Sequence, residues 1–282
     1  MPEFMQSVPA ALAFALMSWW LGTGAILWLV RLNASSFRWS LLAATLVLFL
    51  GLIGSRYSMR SAGSDSAYLA FASVILMWSW HELAFLTGWL TGPRRVALQF
   101  GAQGSQRLVQ SVQAVAYHEV ALLANFALLW VMQLGQPNHV ALCTFALLWC
   151  MRLSAKLNLF LGVPQTGAQY LPAHLTYLAS YFKRGPVTRF FFGTLAVSAL
   201  TLAWLIWEVR TGAVTATTGW VLLATLLGLA IVEHVLMAFP LSIEKLWGWA
   251  MHRAPARPRV DSPVLPSMPG VVPAHATKAD PP

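Results

Sequence analysis

The sequence predicts an all-α polytopic membrane protein: a bundle of about seven transmembrane helices, with interfacial helices and a disordered C-terminal tail. Three observations carry that expectation. Of its 282 residues 58% are hydrophobic and 10% charged, with a mean hydropathy of +0.63, whereas a soluble domain holds about half apolar residues. Runs of about 20 apolar residues recur, each long enough as a helix to cross a ~30 Å hydrocarbon core. Fourteen Trp and six Tyr suit a chain that repeatedly meets a lipid–water interface. At that depth no water is available to the backbone, so each crossing must satisfy its own peptide groups, which a helix does.

The first span covers about 8–30 and has no basic residue before its apolar stretch, so a cleaved signal peptide is not expected. The second, about 37–54, is short and bounded by Arg38 and Arg56. The third runs over about 67–90, the fourth over 110–133 and the fifth over 139–162. Cys143 and Cys150 lie in the fifth, two helical turns and ~10 Å apart, too far for a disulfide, and read as packing residues. "YLPAHLTYLASYFKRGP" follows, with Leu171, Leu175, Leu178 and Phe182 at helical spacing beside Tyr177, Tyr181, Lys183 and Arg184; it predicts a helix lying on the membrane surface. The sixth and seventh spans cover about 189–209 and 217–239, and "LSIEKLWGWAMHR" resembles a second surface helix. A transmembrane domain over 1–253 is thus followed by a tail, 254–282, that holds eight of the sixteen prolines and reads as disordered.

Seven spans put the termini on opposite sides. The C-terminal side collects thirteen basic residues: Arg31, Arg38, Arg94, Arg95, Arg107, Lys183, Arg184, Arg189, Lys245, Arg253, Arg257, Arg259 and Lys278. Arg56, Arg60 and Arg210 make three on the other. The positive-inside rule then makes the C-terminus cytoplasmic and puts the N-terminus outside. The net charge of +9 reads as membrane orientation and contact with anionic lipids, and nucleic acid is not an expected partner.

The remaining basic residues, Arg152 and Lys156, fall inside span five. They belong to an unusual set. His81–Glu82 in "WSWHELAFLTGWL", His118–Glu119 in "AYHEVALL" and Glu233–His234 in "AIVEHVLM" are adjacent pairs, each within an apolar run. Random placement of seven His and nine acidic residues predicts about half such a pair. An ionisable residue within a span costs roughly 2.5–3.5 kcal/mol on insertion scales, so accumulation implies a role. Counted from the expected span ends, these residues fall in a band ~9–15 Å below the cytoplasmic interface, which predicts one shared buried site. Three glutamates against two cations leave a negative excess, to be met by a proton or a metal ion.

Three readings of the cluster stand: buried hydrogen bonds that cross-link helices; a pigment or metal site with His81, His118 and His234 as candidate ligands and glutamate fixing a ring tautomer; or a membrane metalloenzyme of tetrapyrrole or lipid metabolism. The Glu-x-x-His spacing of bundle di-iron sites is absent, no phosphate loop or CxxC motif occurs, and no catalytic residue is assigned. "TGPRR" (Thr91–Arg95) reads as a helix stop at Pro93 with a headgroup-level arginine pair, or as a docking site. On span five, Ser154 and Asn158 share a face that fits packing on a second span or on another protein, between which the sequence does not choose. His139, His174, His252 and His275 lie at span ends or in the tail and receive no role.

The blocks "WSWHELAFLTGWLTGPRR", "YHEVALL", "CMRLSAKLNLFLGVPQ", "YLPAHLTYLASYFKRGP" and "LAIVEH" resemble those of the PuhE-type photosynthetic complex assembly proteins of purple phototrophic bacteria, which are encoded among photosynthesis genes. The resemblance covers roughly residues 8–253 and excludes the proline-rich tail and loops such as "VALQFGAQGSQRLVQ". It implies a role in building the reaction-centre and light-harvesting complex in the intracytoplasmic photosynthetic membrane, linked to bacteriochlorophyll supply. Reaction-centre or light-harvesting polypeptides, or other assembly factors, would be partners beside the lipids. The resemblance carries no catalytic residues. It makes transient bacteriochlorophyll handling near His81, His118 and His234 an expectation.

Overall fold

Apolar runs of this length become seven helices in chain order: α1 (Val8–Val30), α2 (Phe37–Ser58), α3 (Ser64–Leu86), α4 (Gly104–Gln133), α5 (Val140–Leu161), α6 (Arg189–Thr211) and α7 (Val214–Ala238). All seven are long and apolar enough to cross a membrane. The computed structural model describes residues 8–239, apart from the side chains at 214 and 215. Among these residues there is no strand, only an isolated bridge between Val163 and Arg184. The segment "LSIEKLWGWAMHR", the tail from Ala254, His252 and His275 lie outside the described residues.

α3 is the centre of the bundle and packs on α1, α2, α5 and α7. Its sequence explains why. Ala67, Ala70, Ser73 and Ala84 are small and buried, so neighbouring backbones can approach, while Phe71, Val74 and Met77 fill the space between them. The closest approach is to α2, where a Cβ added at Gly51 would lie 2.7 Å from both Met77 Cγ and Ser73 O. Replacing Gly51 with Val should therefore force α2 and α3 apart and destabilise the protein by about 1–3 kcal/mol. Thermal unfolding in mild detergent measures this, and an unchanged midpoint would contradict the contact.

Two shifts from the expected boundaries shape this end of the bundle. α3 ends at Leu86, well before Pro93, because Gly88 adopts φ +79 and turns the chain. Its N–H reaches Phe85 O at 2.9 Å, and Leu90 N–H reaches back to Ala84 O at 2.9 Å. The chain then runs against α4: His118 N–H donates to Thr91 O at 3.0 Å and Arg94 N–H to Gln113 O at 3.4 Å. Only glycine fits at 92, where a Cβ would meet Gln113 O at 2.0 Å. α4 in turn starts at Gly104, six residues earlier than expected, and its 30 residues span ~45 Å, longer than a hydrocarbon core. Its first turns rise into a cap of loops.

That cap corrects the reading of the segment after span five. In place of an α-helix on the lipid surface, residues Ala173–Tyr181 form a 3-10 helix. Leu175, Leu178 and Tyr181, every third residue, are buried against Phe85 and Ala114. Arg107 Nη2 ties the cap to α5, donating to Phe160 O at 2.7 Å and Tyr181 O at 2.9 Å. Arg94 is likewise engaged by protein: Nε donates to Tyr181 Oη at 2.9 Å and Nη2 to Ala97 O at 3.0 Å. His174, given no role above, has Nε2 2.9 Å from Leu86 O and holds the end of α3. Cys143 and Cys150 are both free thiols.

Candidate functional site

Adjacent helical residues diverge by ~100°, and each His–Glu pair uses that divergence. His81 turns from α3 toward α4, where Asn125 Nδ2 lies 2.8 Å from its Nε2. Glu82 turns toward α5 and accepts from Arg152 Nη2 at 2.6 Å. On α4, Glu119 pairs with Lys156 and accepts from Trp149 Nε1 at 3.2 Å. α5 therefore distributes its polar residues over four neighbours. Arg152 goes to α3 and Lys156 to α4. Ser154 Oγ lies 3.0 Å from His234 Nε2 on α7, and Asn158 Nδ2 donates to Thr194 Oγ1 on α6 at 3.4 Å.

The result is two compartments rather than one site. The first lies between α3, α4 and α5, where His81, His118 and Asn125 are buried. The rings of His81 and His118 are 6.5 Å apart, with Phe85 4.7 Å from His118 and Phe145 6.1 Å from His81. Both nitrogens of His118, Nδ1 of His81 and Oδ1 of Asn125 are buried without a hydrogen-bond partner among the described residues. Polar atoms in that position carry a desolvation cost.

The second compartment is a cleft of about 660 Å³ between α1, α3, α5 and α7, bordered by residues of the 165–170 loop. Ile75, Trp78 and Leu148 contribute apolar wall, and Glu82, Arg152, Glu233 and His234 contribute the charged and imidazole groups. Trp19 Nε1 donates to Glu233 Oε1 at 3.1 Å. His234 Nδ1 stands 2.9 Å from Ala230 O. A carbonyl only accepts, so Nδ1 carries a proton, and the Ser154 hydroxyl, which can donate or accept, meets Nε2.

This arrangement changes three expectations. His234 lines the cleft, whereas His81 and His118 do not, so the three imidazoles do not share one pocket. Among the described residues no three His, Cys, Asp or Glu side chains are grouped to hold a metal ion. The charge count resolves into two ion pairs, Glu82–Arg152 and Glu119–Lys156. Among the described residues no cation lies within ion-pair distance of Glu233, so its carboxyl group stands in the cleft without an ion-pair partner.

Sequence reasoning missed three partners. Asn125 was readable as an amide in span four, seven residues after His118 and hence on the same face. Trp19 and Trp149 had been counted with the interfacial aromatics. Their positions well inside α1 and α5 were the available signal, since an indole N–H at that depth needs an acceptor.

No solved structure matches the chain. It is 38% identical over 267 residues to an uncharacterized 30.4 kDa protein in the puhA 5′ region of Rhodobacter capsulatus, an alignment covering 90% of this chain and 94% of that protein. A family model described as "Protein of unknown function (DUF3623)" matches residues 5–258, and the chain belongs to that family.

Proposed function

We propose that the protein is a PuhE-type membrane assembly factor for the photosynthetic reaction-centre and light-harvesting complex, acting in bacteriochlorophyll supply or insertion. The observation that carries this reading is the relative, which covers 90% of this chain and is located by its name in the puhA 5′ region. The sequence blocks around His81, His118, Arg152 and Glu233 support it through their resemblance to a family encoded among photosynthesis genes. Thirteen basic residues against three support an N-terminus in the periplasm and a C-terminus in the cytoplasm, across the intracytoplasmic photosynthetic membrane.

The cleft suggests how such a protein handles its cargo. Its volume of about 660 Å³ falls within the range of small-molecule sites, and its apolar wall carries a few convergent polar groups. A bacteriochlorophyll would bring an apolar tail and a ring with polar substituents to these walls. His234 is the imidazole facing that space, Arg152 supplies donors and Glu233 an acceptor. The metalloenzyme reading finds no supporting donor set among the described residues.

Protein purified gently from photosynthetic membranes is expected to carry a chlorin in near-stoichiometric amount, read by absorption and extraction, together with reaction-centre or light-harvesting polypeptides. Pigment-free protein, combined with normal complex assembly in a deletion strain, overturns the proposal. Stoichiometric iron or zinc without a chlorin would favour an enzyme.

A further inference from the structure

The side of the bundle poor in basic residues contains a feature that neither ion pair nor cleft explains. α2 presents an unpartnered face: Trp39, Leu42, Leu46, Phe49, Ile53 and Tyr57 recur at helical spacing and are 55–68% exposed. Eighteen residues separate the aromatic ends of this stripe at 39 and 57, or about 27 Å along the helix axis. That is close to the thickness of a hydrocarbon core. Arg38 lies 5.3 Å from the Trp39 ring at one end. At the other end stand Arg56, in the last turn of α2, and Arg60, in the turn that follows it, both bordering one groove. Both are therefore at headgroup level.

Among the described residues neither arginine has a carboxylate within ion-pair distance. Arg56 Nη1 is buried and has no hydrogen-bond acceptor there. Leu52, Ile53, Arg56, Tyr57 and Arg60 line a groove of about 340 Å³. A guanidinium in a groove with an apolar floor, and without an acceptor of its own, suits an anion carried on an apolar chain. Positive-inside bias disfavours basic residues on this side, so two together are retained against the trend. Their position at the end of a helix partly favours them, since the C-terminal carbonyls attract cations.

We propose that Arg56 and Arg60 form a binding site for the phosphate of an anionic phospholipid in the leaflet opposite the arginine-rich loops, with an acyl chain lying along Ile53 and Phe49. A phospholipid is favoured over a free phosphate because the apolar stripe continues from the guanidiniums into the hydrocarbon layer. The site is independent of the cleft and of pigment handling.

Native mass spectrometry of the full-length protein, released from nanodiscs of mixed phosphatidylglycerol and phosphatidylcholine, tests the site. The wild-type protein is expected to retain phosphatidylglycerol preferentially. The R56Q/R60Q variant should lose that preference by at least about tenfold, the factor of one charge-assisted hydrogen bond. Arg60 is exposed, so R60Q alone keeps the fold and should show a partial loss if the double variant fails to fold. R210Q, which removes another basic residue from the same side, should leave the preference unchanged. Equal loss in R210Q, or no loss in R60Q, overturns the site. Displacement of retained lipid by millimolar inorganic phosphate would overturn the lipid assignment in favour of a free anion.

Discussion

Replacing Arg152 with Met is expected to destabilise the protein by about 3–5 kcal/mol, the cost of leaving a buried charge without its partner. The side chain of Glu82 is 8% exposed. Its Oε2 accepts from Arg152 at 2.6 Å, and its Oε1 has no partner among the described residues. Without the guanidinium, the carboxylate must either stay ionised in an apolar wall or take up a proton. Most of the loss should return when Glu82 is replaced with Leu in the same chain, because removing both partners leaves no orphan. Lys156→Met should cost less, about 1–3 kcal/mol. Glu119 is 24% exposed and keeps the Trp149 indole N–H as a donor. Thermal unfolding of the three variants beside the wild type in one detergent gives the ranking. An Arg152→Met loss that the double replacement does not reduce would mean that Arg152 acts through packing and not through its charge.

His118→Leu is expected to do the opposite to stability and to abolish function. The imidazole is fully buried, touches Phe85 and His81, and has no partner on either nitrogen among the described residues. An apolar residue of similar size removes two unsatisfied polar atoms and should stabilise the fold by about 1–3 kcal/mol. A residue that lowers stability and is nevertheless present belongs with functional sites. The variant should therefore melt higher than wild type while pigment–protein assembly in cells is lost. A lower melting temperature, or a stable variant that supports normal assembly, would remove His118 from the candidate site.

Much of this was legible in the chain. Hydrophobic length alone marked each helix, because lipid leaves the backbone no other solution. α1 ends where the apolar run does, at Val30. The adjacent His–Glu pairs were legible for the same reason: a charge within a span is costly wherever it points. What misled was the local signal at the span ends. "TGWLTGPRR" is apolar up to its proline and reads as helix, but Gly88 turns the chain first, and the hydrogen bonds that stabilise the turned form come from Gln113 and His118 on another helix. The period-3 burial of Leu175, Leu178 and Tyr181 similarly reflects the surface of α4 and α3 that they cover, which no local pattern encodes.

By itself the sequence determined that the chain lies in a membrane, how many times it crosses, and that ionisable residues accumulate on four of the crossings near one end. Composition and run length carry that information, since they measure the transfer of each segment into lipid. Only the tertiary structure decided that these residues divide into two compartments. A helical residue's direction is set by its rotation about the axis, and which neighbour lies there depends on how seven helices pack. Hence His81 meets Asn125 while Glu82, one residue on, meets Arg152, and Glu233, without an ion-pair partner among the described residues, ends up on the wall of the cleft.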